Sequence, residues 1–495
     1  MSNQKNVPIL SSEVYELSLL HMPENSIEQI LKGGRDKFPL LTKGFGNINQ
    51  IGCIGWGSQG PAQFYNLRDS LEGTNINVKV GLREGSSSWK KAEDEGFSVV
   101  DGTLGEMFDV VKESDLVILL ISDAAQTELY QEIMDHMKPG ATLGLSHGFL
   151  LGYMQSIGKN WREDINVIAV CPKGMGPSVR QLYLQGKTVN GAGINSSIAI
   201  EQDIDGKATD IALSWAIAIG SPYIFVTTME SEYKSDIFGE RGILLGGVWA
   251  ICETLYQRFT SNGVSGESAF RSSVESITGP ISSIISKRGI RALYESFEGK
   301  QRTDFENAYA AAYNATMAVL REIYDEVSSG NEIRSVIMAG ERLKKKPMVS
   351  IDTTEIWQVG KEVRADRDIR NVPFFGFTAG IYTGVMMAQI DLLKEKGHSW
   401  SEIVNESVIE AVDSLNPYMH ARGVGYMVDN CSITARLGTR KWGPLFESAL
   451  VRDAFVAIDH YEVDITPFMS FLAHPVHDAI AVCGELRPSV DISVS

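Results

Sequence analysis

The distribution of apolar residues changes near residue 228 and predicts two kinds of structure. Before that point, short apolar runs alternate with helix-like segments such as 126–137 and 207–219. Such an alternation is typical of a parallel sheet with helices on both faces. The predicted strands are 48–54, 76–80, 116–121, 141–145, 165–170, 197–200 and 223–226. We therefore expect a doubly wound α/β sheet in this part of the chain.

Longer helical periods follow residue 228, and strand-like runs become rare. The predicted helices are 242–259, 304–327, 380–394 and 401–414. This part is expected to be all-helical and to carry its own core, because its helices are rich in apolar residues.

A faint repeat runs through the helical part. Residues 242–246 (Gly-Ile-Leu-Leu-Gly) open an apolar helix that ends near Gly263. Residues 380–384 (Gly-Ile-Tyr-Thr-Gly) open another that ends at Gly397. The two spacings differ by four residues, about one helical turn. The pattern suggests a duplication, although chance could also produce it.

Composition narrows the function classes. A chain of 495 residues is too long for one core and indicates several domains. The net charge of −17 disfavours nucleic acid and anionic membranes as partners. No apolar run is long enough to span a bilayer.

The amino terminus and the cysteines bear on location. The first residues lack the apolar region of a signal peptide, and the acids that follow, Glu13 and Glu16 among them, are unlike a transit peptide. Five scattered cysteines form no C-x-x-C pair: Cys53, Cys171, Cys252, Cys431 and Cys483. We therefore expect a cytoplasmic protein without a zinc site.

The first chemical motif follows the first predicted strand. Residues Gly55, Trp56, Gly57, Ser58, Gln59 and Gly60 form a G-x-G-x-x-G turn, and a helix-compatible segment, 61–71, comes next. In a Rossmann-type domain these glycines permit the tight turn, the approach of a pyrophosphate and close packing of the helix. The alternative is an ordinary glycine-rich β–α turn.

The end of the second predicted strand bears on which dinucleotide binds. Residues Arg83, Ser86 and Ser88 offer a guanidinium and hydroxyls that suit a 2′-phosphate, whereas Glu84 would repel it. The residues favour NADP. The alternative is that Arg83 is solvated and the serines cap a helix that starts near Trp89.

Two acid pairs stand in the helical part. Asp236 and Glu240 are four residues apart, as are Glu406 and Glu410, so each pair would share one face of a helix. Four converging carboxylates could hold two Mg²⁺ ions. Solvated acidic faces of this kind are common, and they remain the alternative.

Three loops follow strand ends, where open α/β sheets bind ligands. One contains His147, and another contains Lys173. The third contains Ser122, Asp123 and Gln126 and would border the cofactor. The alternative is that these are turn residues whose side chains are satisfied locally.

Six segments together resemble the long class of ketol-acid reductoisomerases. Their order and spacing agree with that family from about residue 38 to 494, and residues 1–37 lie outside the resemblance. The segments are 55–60, 144–149 (Gly-Leu-Ser-His-Gly-Phe), 170–177 (Val-Cys-Pro-Lys-Gly-Met-Gly-Pro), 234–241 (Lys-Ser-Asp-Ile-Phe-Gly-Glu-Arg), 405–410 and 430–435 (Asn-Cys-Ser-Ile-Thr-Ala).

The resemblance implies a Mg²⁺-dependent enzyme of valine and isoleucine synthesis. It would move an alkyl group in 2-acetolactate or 2-aceto-2-hydroxybutyrate and reduce the product with NADPH. The resemblance also implies a knotted helical region and a homodimer or a higher homo-oligomer. The implied division is an extension (1–37), an NADP-binding domain (38–228) and two helical halves (229–369 and 370–495).

The resemblance also assigns roles to residues. Asp236 would bridge two Mg²⁺ ions, Glu240 would bind one, and Glu406 and Glu410 would complete the second site. Ser432 would hold the substrate carboxylate. His147 and Lys173 are expected beside the metals and the cofactor. The positions that hold the 2′-phosphate correspond to Arg83, Ser86 and Ser88. Independently of the resemblance, proton transfer needs a group placed by the metal cluster, and either Glu410 or a metal-bound water relayed through Lys173 would move the proton.

Two rival functions remain open. Another NADP-dependent hydroxyacid dehydrogenase with a helical second domain would need a catalytic lysine but no four-acid metal site. A nucleotide-sensing module would have lost the chemistry, although every polar site residue is present. Glu84 departs from the basic residue that is common there, which leaves the strictness of NADPH use open.

Overall fold

The computed structural model describes residues 7–367, 372 and 374–494. Within them, ten strands form one sheet in the order β1-β2-β10-β9-β8-β7-β6-β3-β4-β5. The strands are β1 Ser18–Met22, β2 Ser26–Lys32, β3 Gln50–Ile54, β4 Asn77–Leu82, β5 Leu104–Glu106, β6 Leu116–Leu119, β7 Thr142–Leu145, β8 Asn166–Pro172, β9 Ser196–Gln202 and β10 Tyr223–Val226. The seven predicted strands correspond to β3, β4 and β6 to β10.

The sheet is parallel from β8 through β5, and the strands beyond β8 depart from the predicted parallel order. β9 runs antiparallel to β8, because residues 186–195 return the chain to the edge of the sheet where β8 ends. A 2.8 Å backbone hydrogen bond from Lys173 N to Asn195 O marks this return. The hairpin of β1 and β2 then pairs antiparallel with β10. The sheet therefore includes part of the segment that lies outside the family resemblance.

Helices cover both faces of this sheet. One face packs against α1, α2 and α8, and the other packs against α4, α5 and α6. The helices are α1 Leu41–Phe45, α2 Gln59–Ser70, α3 Ser87–Asp94, α4 Met107–Glu113, α5 Asp123–His136, α6 Phe149–Ser156, α7 Gly176–Gln185 and α8 Ala208–Ala218. This confirms the doubly wound α/β domain.

The remainder of the described chain is helical and has its own core. Its helices are α9 Met229–Arg241, α10 Gly246–Ser261, α11 Gly266–Phe270, α12 Ser282–Glu295, α13 Gly299–Ser328, α14 Asn331–Leu343, α15 Glu355–Ala365, α16 Gly376–Glu395, α17 Trp400–Val404, α18 Asn416–Arg422, α19 Val424–Val428, α20 Ile433–Ala449, α21 Phe455–Asp459, α22 Thr466–Met469 and α23 Val476–Glu485. Wider π-helical turns occupy 271–281, 405–415 and 450–454.

Helix α16 packs lengthwise on α13 through three glycines. A Cβ on Gly376, Gly380 or Gly384 would lie 1.9 to 2.4 Å from a carbonyl oxygen of α13. Only glycine permits this approach of two backbones, and the spacing of four keeps the three residues on one face. Helix α16 is largely buried in the helical domain, whereas α13 buries the face that meets α16 and exposes residues such as Lys300 and Asp325.

The helical domain contains the same succession of elements twice, at positions 134 residues apart. The π-helical turns 271–281 and 405–415 correspond, and left-handed or extended glycines follow them at Gly289 (φ 83°) and Gly423 (φ 93°). The N-cap serines Ser265 and Ser399 also correspond. The repeat suggested by the sequence pairs 242–246 with 380–384, which is wrong by one helical turn. In the structure, 242–246 corresponds to 376–380, and the two repeats then have equal spacing. The boundary proposed at 369/370 lies outside the described residues.

Candidate active site

A cavity of about 520 Å³ lies between the carboxyl edge of the sheet and the helical domain. The loops after β3, β6, β7 and β8 form its sheet side. Helix α9, the turn around Glu410 and residues 429–436 form the helical side. Because the parallel strands end at one edge, residues distant in sequence meet in this space.

The glycine-rich loop has the geometry that its spacing predicts. Gly55 has a φ of 120°, and a Cβ there would lie 2.6 Å from the backbone of Leu120. A Cβ on Gly60 would lie 2.4 Å from Gly55 O, so α2 begins in close contact with the loop. The space beside Gly57 is open, since a Cβ at this residue would have its nearest neighbour 4.0 Å away. The loop can therefore receive a ligand at Gly57 and at the amino end of α2.

The glycine-rich loop also contacts the helical domain and the loop after β8. Ser58 donates a 2.5 Å hydrogen bond to Asn430 O, and Gln59 donates one of 2.9 Å to Gly174 O. Trp56 lines the cavity, and its Nε1 is buried without a partner among the described residues. The glycine-rich loop is thus fixed against the helical domain rather than free in solvent.

The residues expected at a 2′-phosphate lie beyond the main cavity. Arg83 is exposed, and neither Ser86 nor Ser88 is among the described residues that line the cavity. Ser86 caps α3 by accepting a 3.1 Å hydrogen bond from Trp89 N, as the alternative interpretation anticipated. Lys91, one turn further along α3, does line the cavity and was not identified from the sequence.

The loop after β6 places its three predicted residues at the cavity. Ser122 precedes α5, and Gln126 donates a 3.0 Å hydrogen bond to Ile121 O. Asp123 is buried and accepts a hydrogen bond from the hydroxyl of Thr434, next to the start of α20. Asp123 therefore links the sheet domain to the helical domain, and burial raises its pKa.

Helix α9 carries three acids at or behind the cavity wall, one more than predicted. Thr228 caps the helix, so its first turn is fixed directly after β10. Asp236 and Glu240 face the cavity, and Glu232 lies one turn before them, with 1% of its surface exposed. Glu232 precedes Asp236 by four residues, as Asp236 precedes Glu240. Extending this spacing by one step towards the amino terminus would have identified Glu232 from the sequence.

The second acid pair approaches from the other repeat. Glu406 and Glu410 lie on π-helical turns, in which Glu410 N bonds to Asn405 O instead of to a residue four back. Their backbone passes close to α9, since a Cβ on Gly239 would be 3.0 Å from Glu406 O. The pair is therefore not on the regular α-helix that the sequence predicted, but both carboxyls are buried towards α9.

Lys173 connects the two acid groups. Its Nζ lies 2.7 Å from Glu406 Oε1, 3.1 Å from Glu232 Oε1 and 3.7 Å from Asp236 Oδ1. His147 Nδ1 is 3.3 Å from both Glu232 and Asp236. Glu232 also accepts a 2.6 Å hydrogen bond from Gly148 N. The structure thus brings the predicted histidine, lysine and acids into one buried cluster.

The acids of this cluster differ in their pKa values. Burial would raise the pKa of Glu232, but Lys173 and then His147 lower it below its usual range. Burial raises the pKa of Glu406 to about 8, because Lys173 offsets only part of the effect. The pKa values of Glu240 and Glu410 lie well above the usual range, first through burial and then through neighbouring carboxylates.

Ser432 stands at the entrance of the cavity. Its hydroxyl caps α20 by accepting a 3.0 Å hydrogen bond from Ala435 N, and the side chain is exposed. The hydroxyl hydrogen is not used by this contact, so Ser432 can still donate to a ligand.

Comparisons with known proteins agree with this architecture. Residues 47–223 match a family model described as "Acetohydroxy acid isomeroreductase, NADPH-binding domain", and residues 229–369 match "Ketol-acid reductoisomerase, C-terminal domain". A chloroplastic ketol-acid reductoisomerase of Spinacia oleracea is 57% identical, over 94% of this chain and 80% of that protein. The corresponding protein of Pisum sativum is 56% identical, over 94% of this chain and 82% of that protein.

A solved structure extends the comparison to the fold. The NADH-preferring ketol-acid reductoisomerase from an uncultured archaeon superposes with a TM-score of 0.57 at 24% identity, covering 70% of this chain and 98% of that one. In the described part of this chain, no helix is both long and apolar enough to cross a membrane. The matches to both domains and to the plant proteins show that the chain belongs to the ketol-acid reductoisomerase family.

Proposed function

We propose that this chain converts 2-acetolactate or 2-aceto-2-hydroxybutyrate to the 2,3-dihydroxy acid, by Mg²⁺-dependent alkyl migration followed by reduction with NADPH. The observation that carries the proposal is the meeting of carboxylates from both helical repeats beside the glycine-rich loop, in one cavity. A dehydrogenase without a metal step would have no use for the acids of the second repeat.

The chemistry of the cluster fits divalent metal ions. Glu406 Oε2 and Glu410 Oε2 are buried without a hydrogen-bond partner among the described residues, and both carboxyls have raised pKa values. Buried carboxylates need a compensating cation, and Mg²⁺ prefers oxygen ligands. We assign Asp236, Glu240, Glu406 and Glu410 as the ligands of two Mg²⁺ ions.

Another group of possible ligands lies in the same place. One ligand atom each from His147, Glu232 and Asp236 lies within 4.8 Å of the others. Glu232, however, already accepts from Gly148 N and pairs with Lys173, so its oxygens are committed. We therefore place Glu232 and His147 around the metals as positioning residues, and Asp236 as the ligand shared by both groups.

The remaining residues act on the substrate and its protons. Two bound Mg²⁺ ions would polarise the carbonyl and lower the pKa of the neighbouring hydroxyl, and NADPH would supply the hydride. Ser432 would donate to the substrate carboxylate at the entrance. Glu410, which lines the cavity, and Lys173, which contacts Glu406, are the groups placed to exchange a proton with the substrate oxygens.

NADPH oxidation with 2-acetolactate tests the proposal directly. We expect turnover that is abolished when Mg²⁺ is removed and restored when it is added back. Oxidation that continues without Mg²⁺ would favour the rival dehydrogenase. The rearranged 2-keto acid, given as a second substrate, separates loss of migration from loss of reduction.

The cofactor prediction concerns the loop after β4. A bidentate guanidinium–phosphate contact contributes about 1.5–3 kcal/mol, so we expect NADPH to be preferred over NADH by at least about tenfold in kcat/KM. Arg83→Ala should remove most of that preference, and Glu84→Lys should increase it modestly. The cofactor ratio for the wild type and both variants is the measurement, and equal use of both cofactors by the wild type would contradict the prediction.

We also propose a homodimer or a multiple of it. The apolar composition of 242–259 and 380–394 suggests an interface there, but these helices are buried within the chain itself. Exposed apolar side chains lie instead on the carboxyl end of α20, on the π-helical turn 450–454 and on α21, at Leu445, Val451 and Val456. Light scattering should show a dimer or larger, and Val451→Asp should weaken it; a stable, active wild-type monomer would rule it out.

The domain division and the location remain proposals. We retain an NADP-binding domain at 38–228 and helical halves at 229–369 and 370–495. The names of both plant relatives place those proteins in chloroplasts, whereas the sequence here predicts a cytoplasmic one. Fractionation of the source cells, followed by detection of this chain, decides between the two.

A further inference from the structure

A second cavity, of about 540 Å³, lies in the helical domain and shares no lining residue with the first. It is bounded by the chain around Gly289 in α12, by α23 and by the segment 487–492. None of the residues assigned to the reaction lines it. The cavity is therefore a separate space, and its side chains require their own explanation.

The two helices give this cavity walls of opposite character. On the α12 side stand three cations, Lys287, Arg288 and Arg291. On the α23 side stand the acids Asp478 and Glu485. Within the described ranges, no ion pair joins these two walls, although oppositely charged side chains would readily pair if they could meet. A ligand that bridges them would need a negative end and a positive end.

Two buried atoms without hydrogen-bond partners in the described part of the chain agree with the character of the walls, an acceptor on the α23 side and a donor on the α12 side. His477, with 7% of its surface exposed, lines the cavity from the α23 side, and its Nε2–H donates a 2.7 Å hydrogen bond to Phe471 O. Its Nδ1 has no partner among the described residues. Burial lowers the pKa of His477 to about 4, so Nδ1 is a hydrogen-bond acceptor at neutral pH. From the α12 side, Arg291 Nε is a buried donor that also lacks a partner there, while the other end of the same guanidinium donates a 2.7 Å hydrogen bond to Leu472 O.

The space between the walls is lined by aliphatic side chains. Ile480 and Ala481 come from α23, and Val490 and Ile492 come from the carboxyl-terminal segment. A small charged ligand without an aliphatic part would leave this surface in contact with water. An aliphatic side chain would bury it, at a gain of roughly 25 cal/mol per Å².

We propose that this cavity binds an aliphatic α-amino acid. The carboxylate would pair with Arg288, Arg291 and Lys287, and the ammonium would donate to His477 Nδ1 and pair with Asp478 or Glu485. The aliphatic side chain would pack on Ile480 and Ile492. The volume leaves room for bridging water, which is common in polar sites.

The cavity also has a physical connection to the first one. Asp413 and Arg487 line it and form an ion pair in which Asp413 is 4% exposed. Asp413 lies on the π-helical turns 411–415, three residues after Glu410. A ligand that draws Arg487 towards itself would alter the support of this segment. Any effect of the amino acid on turnover rests on the metal assignment proposed above, whereas its binding does not.

Direct binding to the full chain is the test. We expect L-valine, L-leucine or L-isoleucine to bind saturably in calorimetry with one site per chain and a Kd below about 10 mM. Arg288→Gln and Asp478→Asn, each on an exposed wall residue, should weaken binding by about tenfold, since each removes one charge-assisted contact. The matched controls Arg321→Gln and Asp325→Asn lie on α13, away from the cavity, and should bind like the wild type.

Two probes separate the amino acid from simpler ligands. The carboxylate 3-methylbutanoate lacks the ammonium group, and inorganic phosphate lacks the aliphatic part. If either binds as tightly as the amino acids, the site is a plain anion site and the proposal is wrong. It is equally wrong if no amino acid saturates by about 10 mM, or if neither wall variant changes the Kd. Because the readout is binding, these results do not depend on whether the enzyme turns over 2-acetolactate.

Discussion

Replacement of Asp236 by Asn is expected to abolish alkyl migration. Asp236 stands between the two acid groups, 3.7 Å from Lys173 and 3.3 Å from His147. If Asp236 holds both Mg²⁺ ions, an amide in its place would not supply the negative charge that they require. Loss of a group that stabilises developing charge typically lowers kcat by about 10²–10³-fold, and loss of the metal itself would cost more.

The measurement is the rate of turnover of 2-acetolactate and, in a separate assay, of the rearranged 2-keto acid, each over a range of Mg²⁺ concentrations. We expect migration to vanish and reduction of the 2-keto acid to fall as well. Glu406→Gln and Glu410→Gln should behave similarly, with weaker Mg²⁺ binding as the first sign. Asp325→Asn, an exposed acid of α13, is the control and should leave both rates unchanged. Near wild-type migration by Asp236→Asn at ordinary Mg²⁺ would refute the metal assignment.

The parts of the fold that were predicted from sequence are those that local patterns determine. Parallel strands such as β6 and β8 are buried on both faces, so they appear as continuous apolar runs. The hairpin of β1 and β2 was missed, because strands near an edge mix polar and apolar residues. The knot implied by the resemblance depends on how the chain threads through itself, which no local pattern encodes, and it stays a prediction.

The candidate site shows a similar division. The glycine loop was predicted correctly, because its spacing reflects backbone requirements at Gly55 and Gly60. A spacing of four could not distinguish an α-helix from the π-helical turns that carry Glu406 and Glu410. The contact of Lys173 with Glu406 joins residues more than two hundred positions apart. Such a contact follows from the tertiary fold and not from the neighbouring sequence.

Lys173→Met should both inactivate the enzyme and destabilise it. Lys173 is 2% exposed, and its ammonium neutralises Glu232 and Glu406, whose side chains solvent does not reach. Removing one partner of a buried ion pair leaves an uncompensated charge and costs about 3–5 kcal/mol of the free energy of unfolding. Lys300→Met, which removes an exposed pair with Asp304, should leave that free energy nearly unchanged.

The pH dependence of this loss distinguishes the missing charge from a simple packing defect. In the wild type, Lys173 and His147 hold the pKa of Glu232 below its usual value of 4.5, so this carboxylate stabilises the fold above that pH and ceases to do so as the pH falls. Without Lys173, the buried carboxyls become stable only when they are protonated. The difference in the free energy of unfolding between wild type and Lys173→Met, measured in urea on metal-free protein, should therefore be largest near about pH 8 and should narrow towards about pH 4.5. A difference that is constant with pH would show that Lys173 acts through packing and not through its charge.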